Sequence, residues 1–159
     1  MSLQIRPYRS DDLAELAELF TMAVHLLGRP HYDAMQLAAW APMPPDLDEW
    51  ANCFTAVNTL IMENTGCPLG FVSWRDDGKA GGYISHIFVR PDAARKGIAS
   101  RLLAAAETAL PDAGMIHVHA SLVARPFFEK HGYAVVKEET AVRAGLELTR
   151  FEMRKTRVA

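Results

Sequence analysis

The run Tyr83-Ile84-Ser85-His86-Ile87-Phe88-Val89-Arg90-Pro91 is followed, three residues on, by Arg95-Lys96-Gly97-Ile98-Ala99-Ser100. The first run is largely apolar and of strand length. The second opens on a glycine and continues with Ile98, Leu102, Leu103, Ala106 and Leu110 at helical spacing until Pro111. Met115 to Ala120 is strand-like again. A strand, a helix and a strand in that order predict a parallel, right-handed crossover, so the sheet must contain at least one parallel pair.

Upstream of this unit, Leu3, Ile5 and Pro7 alternate with polar neighbours as a strand does, and Ser10 with Asp11 and Asp12 reads as a helix N-cap. Leu13, Leu16, Ala17, Phe20, Val24 and Leu27 carry that helix to a stop at Gly28 and Pro30. Asp33 to Trp40 has helical composition, closed by Pro42, and Asp48 is placed to cap a further short helix after the turn Pro44-Pro45-Asp46. Thr59 to Met62, Pro68 to Arg75 and Tyr83 to Val89, separated by the turns Asn64-Thr65-Gly66 and Asp76-Asp77-Gly78, predict an antiparallel meander. Downstream, Ala124 to Lys130 is a short helix ended by Gly132, and Tyr133 to Val142 with Leu146 to Met153 forms a closing hairpin. The fold class is α/β (α+β): a single three-layer domain over residues 1–159, with a mixed, largely antiparallel sheet of six or seven strands and helices on both faces.

Composition bounds the partners. The 159 residues suit one domain, and half are hydrophobic against 23% charged, enough for a sizeable core. Seventeen Lys and Arg against nineteen Asp and Glu leave a net charge of −2, so there is no global basic field for nucleic acid or an anionic membrane, and an anion must be held locally. No apolar run approaches the roughly 20 residues that span a bilayer, and Met1 to Arg9 lacks a signal-peptide core, so a cytoplasmic location is expected. Cys53 and Cys67 show no Cys-x-x-Cys spacing and read as reduced thiols. His117 and His119 share one strand face but have no third ligand nearby in sequence, so no metal is expected.

Between an apolar strand and an amphipathic helix, the segment from Arg95 to Ser100 is placed to hold a phosphate. A helix N-terminus offers unpaired N–H groups and partial positive charge, and Gly97 and Ala99 let oxygens approach the backbone. Arg95 and Lys96 add two cations there. The plainer reading is a strand-to-helix turn with solvated basic residues. The loop is neither a Walker loop nor the three-glycine dinucleotide fingerprint.

Ile87-Phe88-Val89-Arg90-Pro91, then Arg95-Lys96-Gly97-Ile98-Ala99, resembles the acyl-CoA-binding motif of the GNAT superfamily, the Gcn5-related N-acetyltransferases. Ala120-Ser121 and the run Ala124-Arg125-Pro126-Phe127-Phe128-Glu129-Lys130-His131-Gly132-Tyr133 resemble that family's second motif, and the order of elements matches over essentially the whole chain. Within the superfamily, the chain is similar to small bacterial acetyltransferases. The resemblance implies a splay between two parallel strands. Backbone groups at Ile87, Phe88 and Val89 would pair with the pantetheine arm in that gap, one N–H polarising the thioester carbonyl. It implies acetyl-CoA as cosubstrate, with Arg95, Lys96, Gly97, Ile98, Ala99 and Ser100 around its pyrophosphate and Ser121 where the family often has an Asn on the pantetheine. Two positions depart from the pattern: Ala94 replaces the usual Arg or Gln, and Phe128 replaces a Tyr that protonates the leaving thiolate, leaving Phe128 a packing contact to the cofactor.

Acyl transfer to an amine needs a neutral nucleophile and a donor to the oxyanion. Tyr83, Ser85 and His86 are the polar members of the strand facing the thioester and the candidate catalytic residues. Alternation puts Tyr83 and Ser85 on one face and His86 on the other, unless a bulge near Ile87 re-aims them. Tyr83 would bond the acceptor and Ser85 would order a water. His86 has the most suitable pKa for a base, although a core histidine bonded to backbone is the favoured reading. His119 is the reserve base, and His31, Tyr32, Trp40 and Trp74 are candidate lining for the acceptor pocket or simple packing. The expected reaction is acetyl transfer to a primary amine of a small molecule or peptide; the competing reading is a CoA-binding module or sensor without turnover. Either is compatible with a homodimer formed through the C-terminal hairpin.

Overall fold

A computed structural model describes residues 2–78, 81–111 and 114–157. The strands are β1 (Leu3–Pro7), β2 (Asn58–Asn64), β3 (Cys67–Asp76), β4 (Gly82–Val89), β5 (Gly114–Ser121), β6 (Ala134–Arg143) and β7 (Leu146–Arg157). The helices are α1 (Leu13–Leu27), α2 (Ala34–Trp40), α3 (Leu47–Thr55), α4 (Ile98–Ala109) and α5 (Arg125–Lys130). The seven strands form one sheet in the order β1-β2-β3-β4-β5-β7-β6, antiparallel throughout except between β4 and β5.

Period-two burial on the central strands explains the three layers. Met62, Val72 and Ile84 pack with Ile98, Leu102, Leu103 and Ala106 of α4. Their neighbours Ile61 and Phe71 pack the opposite way, with Leu16, Leu19 and Phe20 of α1, Leu37 of α2 and Phe54 of α3. A sheet apolar on both sides is stable only when covered on both sides.

Two helix starts differ from expectation. Ser10, Asp11 and Asp12 form a 3-10 turn, and Asp12 is held by Arg6 instead of capping α1 through its side chain. The Arg6 guanidinium, bonded at 2.9 and 2.8 Å, holds the Asp12 carboxyl below its usual range and ties β1 to α1. Helix α3 is capped by Asp46, which accepts from the N–H groups of Asp48 and Glu49, whereas Asp48 lies inside the first turn.

Strands β4 and β5 pair only from Gly82 to Ile84 against Ile116 to Val118 and then diverge. The opening coincides with a bulge: Ser73 pairs with His86 and Trp74 with Ile84, leaving Ser85 as the extra residue of β4.

Candidate active site

The bulge decides which side chains share a face. It sits at Ser85, two residues earlier than expected, and turns His86 to the same side as Tyr83, Ser85 and Phe88, while Ile84, Ile87 and Val89 face α4. The expected separation of His86 from Tyr83 and Ser85 is therefore corrected. All three line one cavity of about 350 Å³, with Phe20, Trp40 and Trp50 forming apolar wall and Arg143, Arg150 and His119 from the far strands.

His86 is a packed ring among Phe20, Trp50, Phe71 and Phe88, with centroids 5.3 to 6.4 Å away. Burial pushes its pKa down to about 4, so it is neutral at pH 7. Among the described residues its Nδ1 atom has no hydrogen-bond partner, and neither has the buried Ser85 Oγ, so no backbone bond of the expected kind is made at that nitrogen there. Tyr83 differs: its hydroxyl lies 2.9 Å from His119 Nδ1, and His119 Nε2 lies 3.3 Å from Glu139 Oε1. Cys53 also lines the cavity, but burial raises its thiol pKa and keeps it protonated.

Tyr32 braces the wall by donating to the Thr149 carbonyl at 2.8 Å and accepting from Leu122 N–H at 3.0 Å. Of the other candidates for acceptor lining, Trp40 is there, whereas Trp74 belongs to the α4-side core and His31 does not line the cavity.

On the other side of the splay lies a groove of about 610 Å³ between α4 and α1. Ile87, Phe88, Val89, Arg95, Gly97, Ile98, Ala99, Ser100 and Ser121 line it together. Arg90 N–H bonds Leu69 O at 2.7 Å, and the ladder alternates from there. The main-chain groups of Phe88 are thus used by β3, and those of Ile87 and Val89 point into the splay. Arg95 and Gly97 both have left-handed backbone, with φ of 63° and 79°, and a Cβ on Gly97 would meet nothing within 4 Å. Left-handed residues beside a helix start turn successive N–H groups toward one concavity, which suits an anion.

Three members of the expected set sit differently. Lys96 is exposed and does not line the groove; Lys130 of α5 supplies a cation there instead. Ser100 Oγ is paired with His131 Nε2 at 3.0 Å, so that side chain ties α4 to the end of α5. Phe128 is only 1% exposed, packed edge-on to Phe127 and Tyr133, and its neighbour Phe127 lines the groove. On this short helix the ring that reaches the groove is set by rotation about the helix axis, which the adjacent pair of phenylalanines does not reveal.

Trp40, Phe88 and Ser121 line both spaces, so groove and cavity adjoin at the splay. A family described as the acetyltransferase (GNAT) domain matches residues 29–155. This chain belongs to the GNAT acetyltransferase family. It is 31% identical over 153 residues, 96% of this chain and 95% of the relative, to the uncharacterized N-acetyltransferase YafP of Escherichia coli. A GCN5-related N-acetyltransferase structure from Rhodopseudomonas palustris shares 29% identity with a TM-score of 0.90, covering 98% of this chain and 96% of that one. The paia N-acetyltransferase of Thermoplasma acidophilum, solved with coenzyme A, has the same fold at 18% identity and TM-score 0.75, covering 98% of this chain and 99% of that one. Among the described residues of the enzyme, no cluster of three or more His, Cys, Asp or Glu side chains is arranged for a metal, and no helix is long and apolar enough to cross a membrane.

Proposed function

We propose that this enzyme transfers the acetyl group of acetyl-CoA to a primary amine of a small molecule or peptide, by direct attack on the thioester. The observation that carries the reading is the junction of groove and cavity at the splay, where Phe88 and Ser121 belong to both.

The pyrophosphate of acetyl-CoA meets the N–H groups from Arg95 to Ser100, with Arg95 and Lys130 as local cations and Lys96 as a solvent-side charge. The pantetheine arm runs along β4 as an added strand, using the main-chain groups of Ile87 and Val89 that β3 leaves free. One of these N–H groups polarises the thioester carbonyl and then holds the oxyanion. Ser121 Oγ accepts from Ala124 N–H at 3.1 Å, which leaves its own proton for the pantetheine amide. Phe127 packs against the arm in the role expected of Phe128.

The amine enters from the cavity, attacks the carbonyl and expels the CoA thiolate. Tyr83 and Ser85 are the polar groups that meet it, and His86 forms the neutral aromatic floor. Phe128 has no proton to give, and a thiol with a pKa of about 8.5 is an acceptable leaving group without one.

Calorimetric titration with CoA tests the groove, and release of CoA thiol from acetyl-CoA across a panel of primary amines tests the reaction. The panel spans amino acids, arylalkylamines, polyamines and short peptides. Binding together with thiol release on at least one amine is expected. Binding without release on any of them would replace transfer by a CoA-binding module.

A further inference from the structure

We infer that Tyr83, His119 and Glu139 form a proton relay that takes the proton from the acceptor amine, a proposal that rests on the acetyl-transfer reading above. The three residues come from β4, β5 and β6, and two contacts link them: Tyr83 Oη to His119 Nδ1 at 2.9 Å and His119 Nε2 to Glu139 Oε1 at 3.3 Å.

Placement is the first argument. Tyr83 pairs with His117 within the short parallel segment, and His119 lies just beyond Val118, where that pairing ends. The pair therefore straddles the origin of the splay, and both rings line the cavity that receives the amine.

Tautomer consistency is the second. A carboxylate only accepts, so beside Glu139 the neutral imidazole keeps its proton on Nε2, and Nδ1 is left to accept the Tyr83 O–H. Glu139 is itself fixed by Arg150 Nε at 2.9 Å and approached by Lys137 at 3.7 Å. The charged and titratable groups around His119 are thus Tyr83 from β4, His117 from β5, Lys137 and Glu139 from β6, and Arg150 and Glu152 from β7. Around Tyr83 stand also Arg75, 4.4 Å above its ring, and Arg143. Burial and Arg150 hold the imidazole pKa below its usual value, so it is a free base at neutral pH.

The proton balance is as follows. An ammonium N–H breaks as Tyr83 Oη takes that proton, while the former Tyr83 proton moves to His119 Nδ1. The resulting imidazolium is stabilised by Glu139 and loses a proton to water, because the His119 side chain is 32% exposed. The amine nitrogen then bonds the acetyl carbon and the C–S bond breaks. The second nitrogen proton, lost as the tetrahedral adduct collapses, balances the proton that the CoA thiolate takes from solvent.

Glu139 acts through His119 and is a positioning residue. The test compares wild type with His119→Gln, Tyr83→Phe and Glu139→Gln, using acetyl-CoA and the most rapidly acetylated amine of the panel above. His119→Gln and Tyr83→Phe are expected to lower kcat about 100-fold with acetyl-CoA affinity nearly unchanged; His119→Gln also keeps the amine KM near wild type and abolishes the His119 component of the acidic limb of the kcat/KM profile. Glu139→Gln is expected to move that limb to lower pH, since the carboxylate favours the imidazolium. Tyr83→Phe removes one oxygen and keeps the ring, so it decides the matter if His119→Gln does not fold. Wild-type kcat and an unshifted limb in either variant would overturn the relay while leaving acetyl transfer intact. Absence of thiol release by the wild-type enzyme on every amine would overturn both.

Discussion

The groove beside α4 presents main chain and small side chains: the left-handed Arg95 and Gly97, Ala99, and the free backbone groups of Ile87 and Val89. The cavity across the splay presents large side chains from many elements: Phe20 of α1, Trp50 of α3, Tyr83 and His86 of β4, His119 of β5 and Arg150 of β7. Backbone conformation over six consecutive residues is a local property, whereas the meeting of six side chains spread over 131 positions requires the whole sheet to be in register. The two halves of the site should therefore respond to different perturbations.

The largest expected effect is on the cavity side and concerns His86. Above about pH 6.5 its ring is neutral folded and unfolded, so it adds no pH dependence. As pH falls below that value the unfolded chain takes up the proton, and the folded chain does so only near pH 4, so stability is lost across this window. The full loss is about 3 kcal/mol, from the depressed pKa. Urea unfolding at pH 7.5 and pH 4.5 should show His86→Phe losing less stability on acidification than wild type. An equal loss in both would mean that the ring is not sealed.

Next comes Gly97→Val on the groove side. A branched side chain at φ 79° strains the loop and projects into the open space proposed for the pyrophosphate. CoA affinity should fall about 100-fold by calorimetry, combining that strain with the loss of backbone contacts. The pH profile of turnover, which belongs to the cavity, should keep its shape. A changed profile would mean that the two halves are not separable.

The smallest effect is expected for Arg95→Gly. Glycine relieves the left-handed strain at φ 63°, while one cation is lost from an exposed position. CoA binding should weaken about threefold at low salt, as fits an exposed charge, and the difference should vanish at 0.5 M salt. A larger, salt-independent loss would show that the arginine side chain is a fixed ligand.

Much of the groove was legible in the chain. The run from Ile87 to Ser100 named its strand, its loop and its helix start, and the crossover to β5 followed from element order. The errors came where a side-chain direction depended on a neighbouring element. Phe127 and Phe128 are chemically identical, and only the seat of α5 against the sheet shows that Phe128 is core. Lys130 lies 33 residues from Gly97 and reaches the groove through α5. On the cavity side, the polar residues of β4 were recognisable as candidates, but their common face was not. The bulge at Ser85 is set by how β3 pairs with β4, and no residue type marks it.

By itself the sequence determined the layer architecture and the strand, loop and helix start that border the groove, because hydrophobic periodicity, proline and glycine act within a few residues of their own position. Only the tertiary structure decided that His86 joins Tyr83 and Ser85, that Tyr83 meets His119 and His119 meets Glu139, and that groove and cavity adjoin. Those relations depend on strand register and on where β4 and β5 part, and register is a property of paired strands and not of either strand alone.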